Sequence, residues 1–194
     1  DHRFVHGNLV DEFRILVNRE NIDVVVLPAT DENESTRRKI KLMRNETLEM
    51  NSTSLLITPP EAFYKQIQNI LYVYSVKEQH TLFDRVNEIV LYNKISNATI
   101  HLAQLSKHGV PGIDQDQEPL RSIIKEIQKK NQIEFHKLQN RNQRKEIVGF
   151  ISEFDIQLLA LSKGLLHTLG NYFHRHIIEE ISSSSKIPVL ILKD

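Results

Sequence analysis

The 194-residue sequence contains no cysteine and no tryptophan. The lack of cysteine excludes disulfide bonds, thiolate nucleophiles and thiolate metal ligands, and it is typical of proteins from reducing compartments. No apolar run approaches the roughly 18–20 residues that a membrane-spanning helix needs, and the first residues do not resemble a signal peptide. We therefore expect a cytoplasmic protein that does not enter a membrane.

The sequence also has no excess of charge of either sign. Lysine and arginine together number 25, as do aspartate and glutamate, so the formal net charge is zero. Such a balance creates no overall field that would attract nucleic acid or an anionic membrane surface. Nucleic acid is therefore not expected as a partner.

Short apolar runs alternate with amphipathic segments along the chain. The predicted strands, which are rich in aliphatic and β-branched residues, are 22–30, 54–59, 69–76, 98–105, 132–139, 155–162 and 187–194. The predicted helices, whose apolar residues recur every three or four positions, are 31–50, 81–95, 120–131, 144–154 and 171–185. This alternation predicts right-handed βαβ crossovers and an α/β fold with a parallel sheet.

One pattern occurs twice in the chain. Each part holds an apolar strand, a helix and a short closing strand, and "SLLIT" (54–58) superposes on "PVLIL" (188–192). Pro59 and Pro60 interrupt the pattern between the parts, as two adjacent prolines stop any strand or helix. We predict two domains: residues 1–60 as the rear part of a first copy, and residues 66–194 as a complete second copy.

The segments "SSKIPVLIL" (184–192) and "FVHGNLVDEFRILVNRENIDVVVLPAT" (4–30) resemble the universal stress protein family, especially its tandem two-copy members. The resemblance implies a three-layer, doubly wound, Rossmann-like sheet with strand order 3-2-1-4-5 in a complete copy, and a role in the stress response. The first copy would lack two central strands. From the usual size of such units, we expect roughly 80 further residues before Asp1.

Nucleotide-binding members of this family carry Gly-x2-Gly-x9-Gly-Ser/Thr after the fourth strand, where backbone N–H groups approach phosphate oxygens. The corresponding positions here hold Ser162, Leu165, Arg175 and His176. The spacing survives, but every motif glycine is replaced. The acidic residue that the family places at the end of the first strand is also missing, because Ser75 and Val76 stand there.

The segment 162–170 is predicted to be a connecting loop and not a phosphate cradle. The degenerate nucleotide-motif positions that we retain as candidate site residues are Ser162, Lys163, Gly164, Arg175 and His176. Arg175 and His176 could hold an anion through side-chain donors. Alternatively, they are a solvated pair on the outer face of a helix.

No serine, histidine and aspartate occur in the context of a catalytic nucleophile. His167, His174 and His176 cluster in the sequence, but no acidic ligand lies among them and Gly170 interrupts their segment. A zinc site needs three or four converging ligands. We therefore predict no catalytic residue, no metal site and no cofactor, with ATP as the alternative cofactor.

The function predicted is that of a non-catalytic stress-response protein, which binds an unknown protein partner or a small ligand. Two alternatives stay open: an ATP-binding universal stress protein, and a cytosolic regulatory domain of a transporter or sensor kinase. The closing strands Ser54–Thr58 and Val189–Leu192 are short and apolar on both faces, and such edges invite pairing. Family members pair through these strands, so we expect an internal pseudo-dimer or a homodimer formed there.

Overall fold

The structure is a computed structural model that describes residues 6–29, 33–60, 66–75, 78, 81–94, 96–105, 132–138, 143–169 and 186–193. Its elements, in chain order, are α1 (Leu9–Arg19), β1 (Val24–Pro28), α2 (Glu34–Glu49), β2 (Ser54–Thr58), β3 (Asn69–Ser75), α3 (Leu82–Asn93), β4 (Thr99–Leu105), β5 (Ile133–Leu138), α4 (Gln143–Glu153), β6 (Leu158–Ser162), α5 (Lys163–Leu169) and β7 (Val189–Leu192). The helices predicted at 120–131 and 171–185 lie outside the described residues.

The strands form one sheet in the order β1-β2-β7-β6-β3-β4-β5. Every neighbouring pair is parallel except β2 and β7, which are antiparallel. The five strands of residues 66–194 therefore follow the order 3-2-1-4-5, and the predicted α/β, Rossmann-like class is confirmed. The whole sheet differs from a single five-stranded unit, because β1 and β2 extend it beyond β7.

The two closing strands, β2 and β7, join the two parts of the chain. Leu56 lies opposite Leu190, and Leu55 lies opposite Ile191. Strands short and apolar on both faces need a neighbour at each edge, and this pairing supplies one. The contact makes one continuous sheet from segments more than a hundred residues apart.

In the strand pairs on either side of this junction, paired residues are separated by the same number of residues along the chain. Leu27 of β1 pairs with Ile57 of β2, and Leu161 of β6 pairs with Ile191 of β7, an interval of 30 residues in each case. Each pair is parallel, as a βαβ crossover requires. The two strand pairs are thus equally spaced along the chain on either side of the junction.

Buried apolar side chains cover both faces of the sheet, because alternate strand residues point to opposite sides. On one face, Leu82, Val86 and Ile89 of α3 pack against Tyr72 and Leu102. On the other face, the residues that α1, α2, α4 and α5 contribute are Val17, Ile40, Ile147, Phe150, Ile151, Leu165 and Leu166. The result is a three-layer arrangement of helix, sheet and helix.

Local chemistry explains where the first helices begin. The Asn33 side-chain oxygen accepts hydrogen bonds from the backbone N–H groups of Ser35 and Thr36, at 2.9 and 3.2 Å. Asn8 caps α1 in the same way. An asparagine cap satisfies N–H groups that the first turn leaves without partners, which is worth about 1 kcal/mol.

Across the described ranges, no helix combines the length and the apolar character that crossing a bilayer requires.

Candidate functional site

The carboxyl ends of β3 and β6 are neighbours at the point where the strand order reverses, which is where ligands bind in open α/β sheets. Ser75 ends β3 and Ser162 ends β6. The Glu78 carboxylate bridges them: Oε2 accepts from the Ser75 N–H at 2.9 Å, and Oε1 accepts from the Ser162 hydroxyl. Glu78 is 9% exposed. A buried carboxylate therefore lies at the head of the candidate nucleotide motif.

The predicted loop after β6 is wrong, because α5 begins directly at Lys163. The Ser162 Oγ accepts a hydrogen bond from the Leu165 N–H at 3.0 Å, so the serine acts as the helix cap. Leu165 is fully buried beneath this turn. The serine and glycine at 162 and 164 predict a loop, whereas in the structure they lie at the start of a helix.

Gly164 allows the close approach of Glu78. A Cβ atom at Gly164 would lie 2.8 Å from Glu78 Oε1, which is closer than real contacts of this kind. The absent side chain therefore makes room for a carboxylate of the same chain. In a phosphate cradle, the same property of glycine makes room for phosphate oxygens.

Lys163 is fully buried, and its amine is engaged by the first part of the chain. Nζ donates to the backbone carbonyl oxygens of Thr47 at 3.2 Å, Thr53 at 3.3 Å and Met50. The last carbonyl groups of a helix have no intrahelical partner, and a cation is favoured at that end of the helix dipole. Lys163 thus stabilises the C-terminal end of α2.

Three of the five sequence-derived candidates, Ser162, Lys163 and Gly164, meet around the end of β6. Arg175 and His176 lie outside the described residues. Sequence reasoning missed Glu78, because the acidic residue was sought at 75 and 76 and stands two positions further on, in "VYSVKEQ". Both of its carboxylate oxygens accept hydrogen bonds from the protein, and one of the donors is Ser162 at the first motif position.

A second polar cluster lies on β4 and β5, on the sheet face covered by α4. His101 of β4 and His136 of β5 bring their ring nitrogens Nδ1 and Nε2 within 3.1 Å. The carboxylate oxygen Oε2 of Glu134 lies 3.4 Å from the first nitrogen and 3.7 Å from the second. Phe150 and Phe154 stack with ring centroids 4.2 Å apart and pack against both imidazoles.

Burial favours the neutral form of both histidines. It lowers the pKa of His101 and that of His136 below the ordinary value, and the nearby charge of Glu134 opposes the shift in each case. A neutral imidazole offers a lone pair, which is the form that accepts a hydrogen bond or binds a metal ion. Sequence reasoning missed this cluster; its local signal was Glu134 and His136 at a strand spacing of two.

Comparison with known proteins rests on structure. No sequence family and no curated protein matches the chain. A universal stress protein from Archaeoglobus fulgidus DSM 4304 superposes on 100% of this chain and 68% of its own, with a TM-score of 0.66 and 14% identity. The chain has the universal stress protein fold. The fold expected from the sequence resemblance is therefore confirmed.

A second solved structure is also similar to the chain. A functionally unknown protein from Pseudomonas aeruginosa PAO1 matches 97% of this chain and 68% of its own, with a TM-score of 0.58 and 14% identity. The chain thus spans about two thirds of the length of both similar structures. At 14% identity, the comparison establishes similarity of fold and nothing further.

Proposed function

We propose that the chain is a non-catalytic, cytoplasmic member of the universal stress protein family, which serves the stress response by binding a protein partner or small ligand and not by turning over a nucleotide. The observation that carries this proposal is the buried carboxylate of Glu78 at the head of the candidate nucleotide motif, bonded to Ser75 and Ser162. The Ser75 N–H, the Ser162 hydroxyl and the Leu165 N–H are all engaged within the protein there. A phosphate group at the same place would therefore find fewer available donors.

The environment of Lys163 supports the same proposal. Lysine is a common phosphate ligand because it offers a mobile point charge. Lys163 is 2% exposed, and its amine donates to the carbonyl groups of Thr47 and Met50 at the end of α2 and of Thr53 just before β2. Withdrawing it to reach a ligand would remove a charged donor from each of these carbonyl groups. The Thr47 carbonyl would keep the Met50 N–H as a partner, and any group left unsatisfied would cost about 1–3 kcal/mol.

We also propose that the two parts of the chain are tandem copies of one unit, residues 1–60 and residues 66–194, related about the junction of β2 and β7. The equal intervals of 30 residues on either side of the junction support this assignment. So does the antiparallel pairing of Leu56 with Leu190, which a local two-fold axis would produce. In this proposal the junction is an internal pseudo-dimer.

The stress role is tested by deleting the gene in its host and measuring survival under starvation, oxidative and heat stress. We expect lower survival in at least one of these conditions, restored by the wild-type gene. Unchanged survival in every condition would contradict the proposed role.

The non-nucleotide part of the proposal is tested by thermal unfolding with MgATP. A ligand present at 100 times its dissociation constant stabilises its protein by about 2.7 kcal/mol, which moves the melting temperature by several degrees. We expect no shift with MgATP at millimolar concentration. A clear upward shift would favour the ATP-binding alternative. Native mass spectrometry of the purified protein would identify a small ligand that remains bound.

A further inference from the structure

The cluster of His101, Glu134 and His136 has the separations of a metal-ligand set. The three facing atoms, two imidazole nitrogens and one carboxylate oxygen, are separated by 3.1, 3.4 and 3.7 Å. Ligand atoms about 2.0–2.1 Å from a tetrahedral zinc ion lie about 3.3 Å from one another. An ion placed slightly out of the plane of these three atoms would therefore meet each of them at an ordinary bond length.

Asn69 fixes the tautomer of His101. The Asn69 amide nitrogen donates to the backbone carbonyl oxygens of Phe154 at 3.1 Å and Asp155 at 3.4 Å, so its Oδ1 must face the other way. That oxygen lies 3.4 Å from His101 Nε2 and can only accept. The proton of His101 therefore resides on Nε2, and Nδ1 presents a lone pair to the cluster. Metal-binding histidines are typically oriented by such a second hydrogen bond.

This arrangement places acceptors against one another. His101 Nδ1 and the carboxylate oxygen of Glu134, which are 3.4 Å apart, are both hydrogen-bond acceptors in this arrangement. His136 Nε2 carries at most one hydrogen, so it can donate to only one of these two acceptors at full strength. Facing lone pairs of this kind are stabilised by a cation between them. Two imidazoles and one carboxylate are also the set that binds catalytic zinc and non-haem iron in other proteins.

We propose that His101 Nδ1, His136 Nε2 and the Glu134 carboxylate form a binding site for a divalent transition-metal ion, with Zn²⁺ as the representative ion. The ligands reside on adjacent parallel strands and are rigidly spaced by the pairing of His101 with Glu134 across β4 and β5. Phe150 and Phe154 form a stacked apolar wall beside the imidazoles. The ion would be held by three protein ligands and would keep at least one position for water.

The site combines a rigid interior with access to solvent. His101 has a side chain that is 5% exposed and His136 one that is 19% exposed, whereas the Glu134 side chain is 56% exposed. A metal ion could therefore enter from the Glu134 side without unfolding the sheet. A groove between β5 and α4, lined in part by Glu146 and Glu153, opens beside His136.

Zinc binding to the full chain tests the proposal. Affinity is measured by competition with a chromophoric chelator for the wild type, Glu134→Gln and His136→Gln, with Glu146→Gln as the matched control in the same groove. Glu134 is exposed, so Glu134→Gln does not endanger the fold, and circular dichroism verifies each variant. Loss of an outer partner alone typically costs about 10- to 100-fold in affinity. We therefore expect each ligand variant to bind at least about 10-fold more weakly, and the control to bind within about 2-fold of wild type.

A second readout is needed because the chain has nine histidines. Nitrogen-15 NMR of the imidazole rings resolves which of them bind zinc, and the proposal expects the His101 and His136 signals to move together at one equivalent. Visible absorption of a Co²⁺-substituted sample should show a four- or five-coordinate ion. Wild-type affinity in both ligand variants, or unmoved signals of His101 and His136, would overturn the proposal. So would a wild-type chain that binds no zinc.

Discussion

Lys163 of α5 donates from Nζ to the backbone carbonyl oxygen of Thr47 across 3.2 Å, linking the two parts of the chain. Replacing the lysine with methionine keeps much of the volume but removes the donor from three buried carbonyl groups. We expect Lys163→Met to lower the free energy of unfolding by about 2–4 kcal/mol, since a hydrogen bond from a charged donor is worth about 1.5–3 kcal/mol and the Thr47 carbonyl keeps the Met50 N–H as a second partner. Urea unfolding measures this difference.

The control for that experiment is Lys39→Met on the exposed face of α2. Exposed substitutions of this kind usually change stability by less than about 0.5 kcal/mol. If Lys163→Met proved as harmless as Lys39→Met, the three carbonyl groups would have another source of hydrogen bonds, and the role assigned to the lysine would be wrong.

Gly164 and Gly149 form a matched pair for the contact with Glu78. Both are helical glycines, but a Cβ at Gly164 would lie 2.8 Å from Glu78 Oε1, whereas one at Gly149 would meet nothing within 4 Å. We expect Gly164→Ala to destabilise by about 1–3 kcal/mol through overpacking. Gly149→Ala should stabilise by about 0.5–1 kcal/mol, because alanine favours the helix. Thermal unfolding distinguishes the two, and equal effects would refute the contact.

The β2–β7 junction is tested by burying a charge in it. Leu190 is 5% exposed and lies opposite Leu56 across the two closing strands. We expect Leu190→Lys to lower stability by more than about 3 kcal/mol and to speed amide exchange in both strands. Val26→Lys, at a site that is 58% exposed, should change stability by less than about 0.5 kcal/mol. Unchanged exchange in β2 would show that the junction does not hold the halves together.

Tyr74 makes stability depend on alkaline pH. Burial raises the pKa of Tyr74 to about 12, whereas an unfolded tyrosine ionises near about 10. The folded pKa is the higher one, so the stabilising contribution is complete below pH 10 and is lost as the pH rises from about 10 to 12. We expect Tyr74 to contribute roughly 2–3 kcal/mol to the loss over this range, beside the contribution of Tyr72, whose pKa is also raised by burial. Tyr74→Phe should show a smaller loss in urea titrations; an equal loss would assign the effect to other groups.

Periodicity predicted most of the fold. Every strand of the described sheet had been expected within a few residues, because apolar runs of five to seven residues such as Leu158–Ser162 have few other ways to be buried. The helix at Lys163 was missed for a physical reason. Ser162 and Gly164 are local loop signals, whereas in the fold Ser162 caps the helix and Glu78, three residues after β3, packs against both. Glu78 and Ser162 are 84 residues apart in the chain, so their contact cannot be predicted from the local sequence.

The histidine cluster shows the same limit. His101 and His136 are 35 residues apart in the chain and meet only through the register of β4 and β5. Glu134 and His136 are two residues apart, which places them on one face of a strand. This spacing does not reveal which strand lies beside them. The sequence shows only which histidines are close along the chain, and these are the residues at 167, 174 and 176. It does not show which histidines are close in space. Pairing register decides which distant residues meet.

Calorimetric titration of the wild-type chain with MgATP tests the central claim most directly, because the claim is that Glu78 and Lys163 leave the switch point of the sheet without a phosphate site. We expect no binding tighter than about 1 mM, and the same result with Gly149→Ala, which leaves the switch point untouched. Micromolar affinity that is lost in Gly164→Ala would contradict the account and establish a nucleotide at the end of β6.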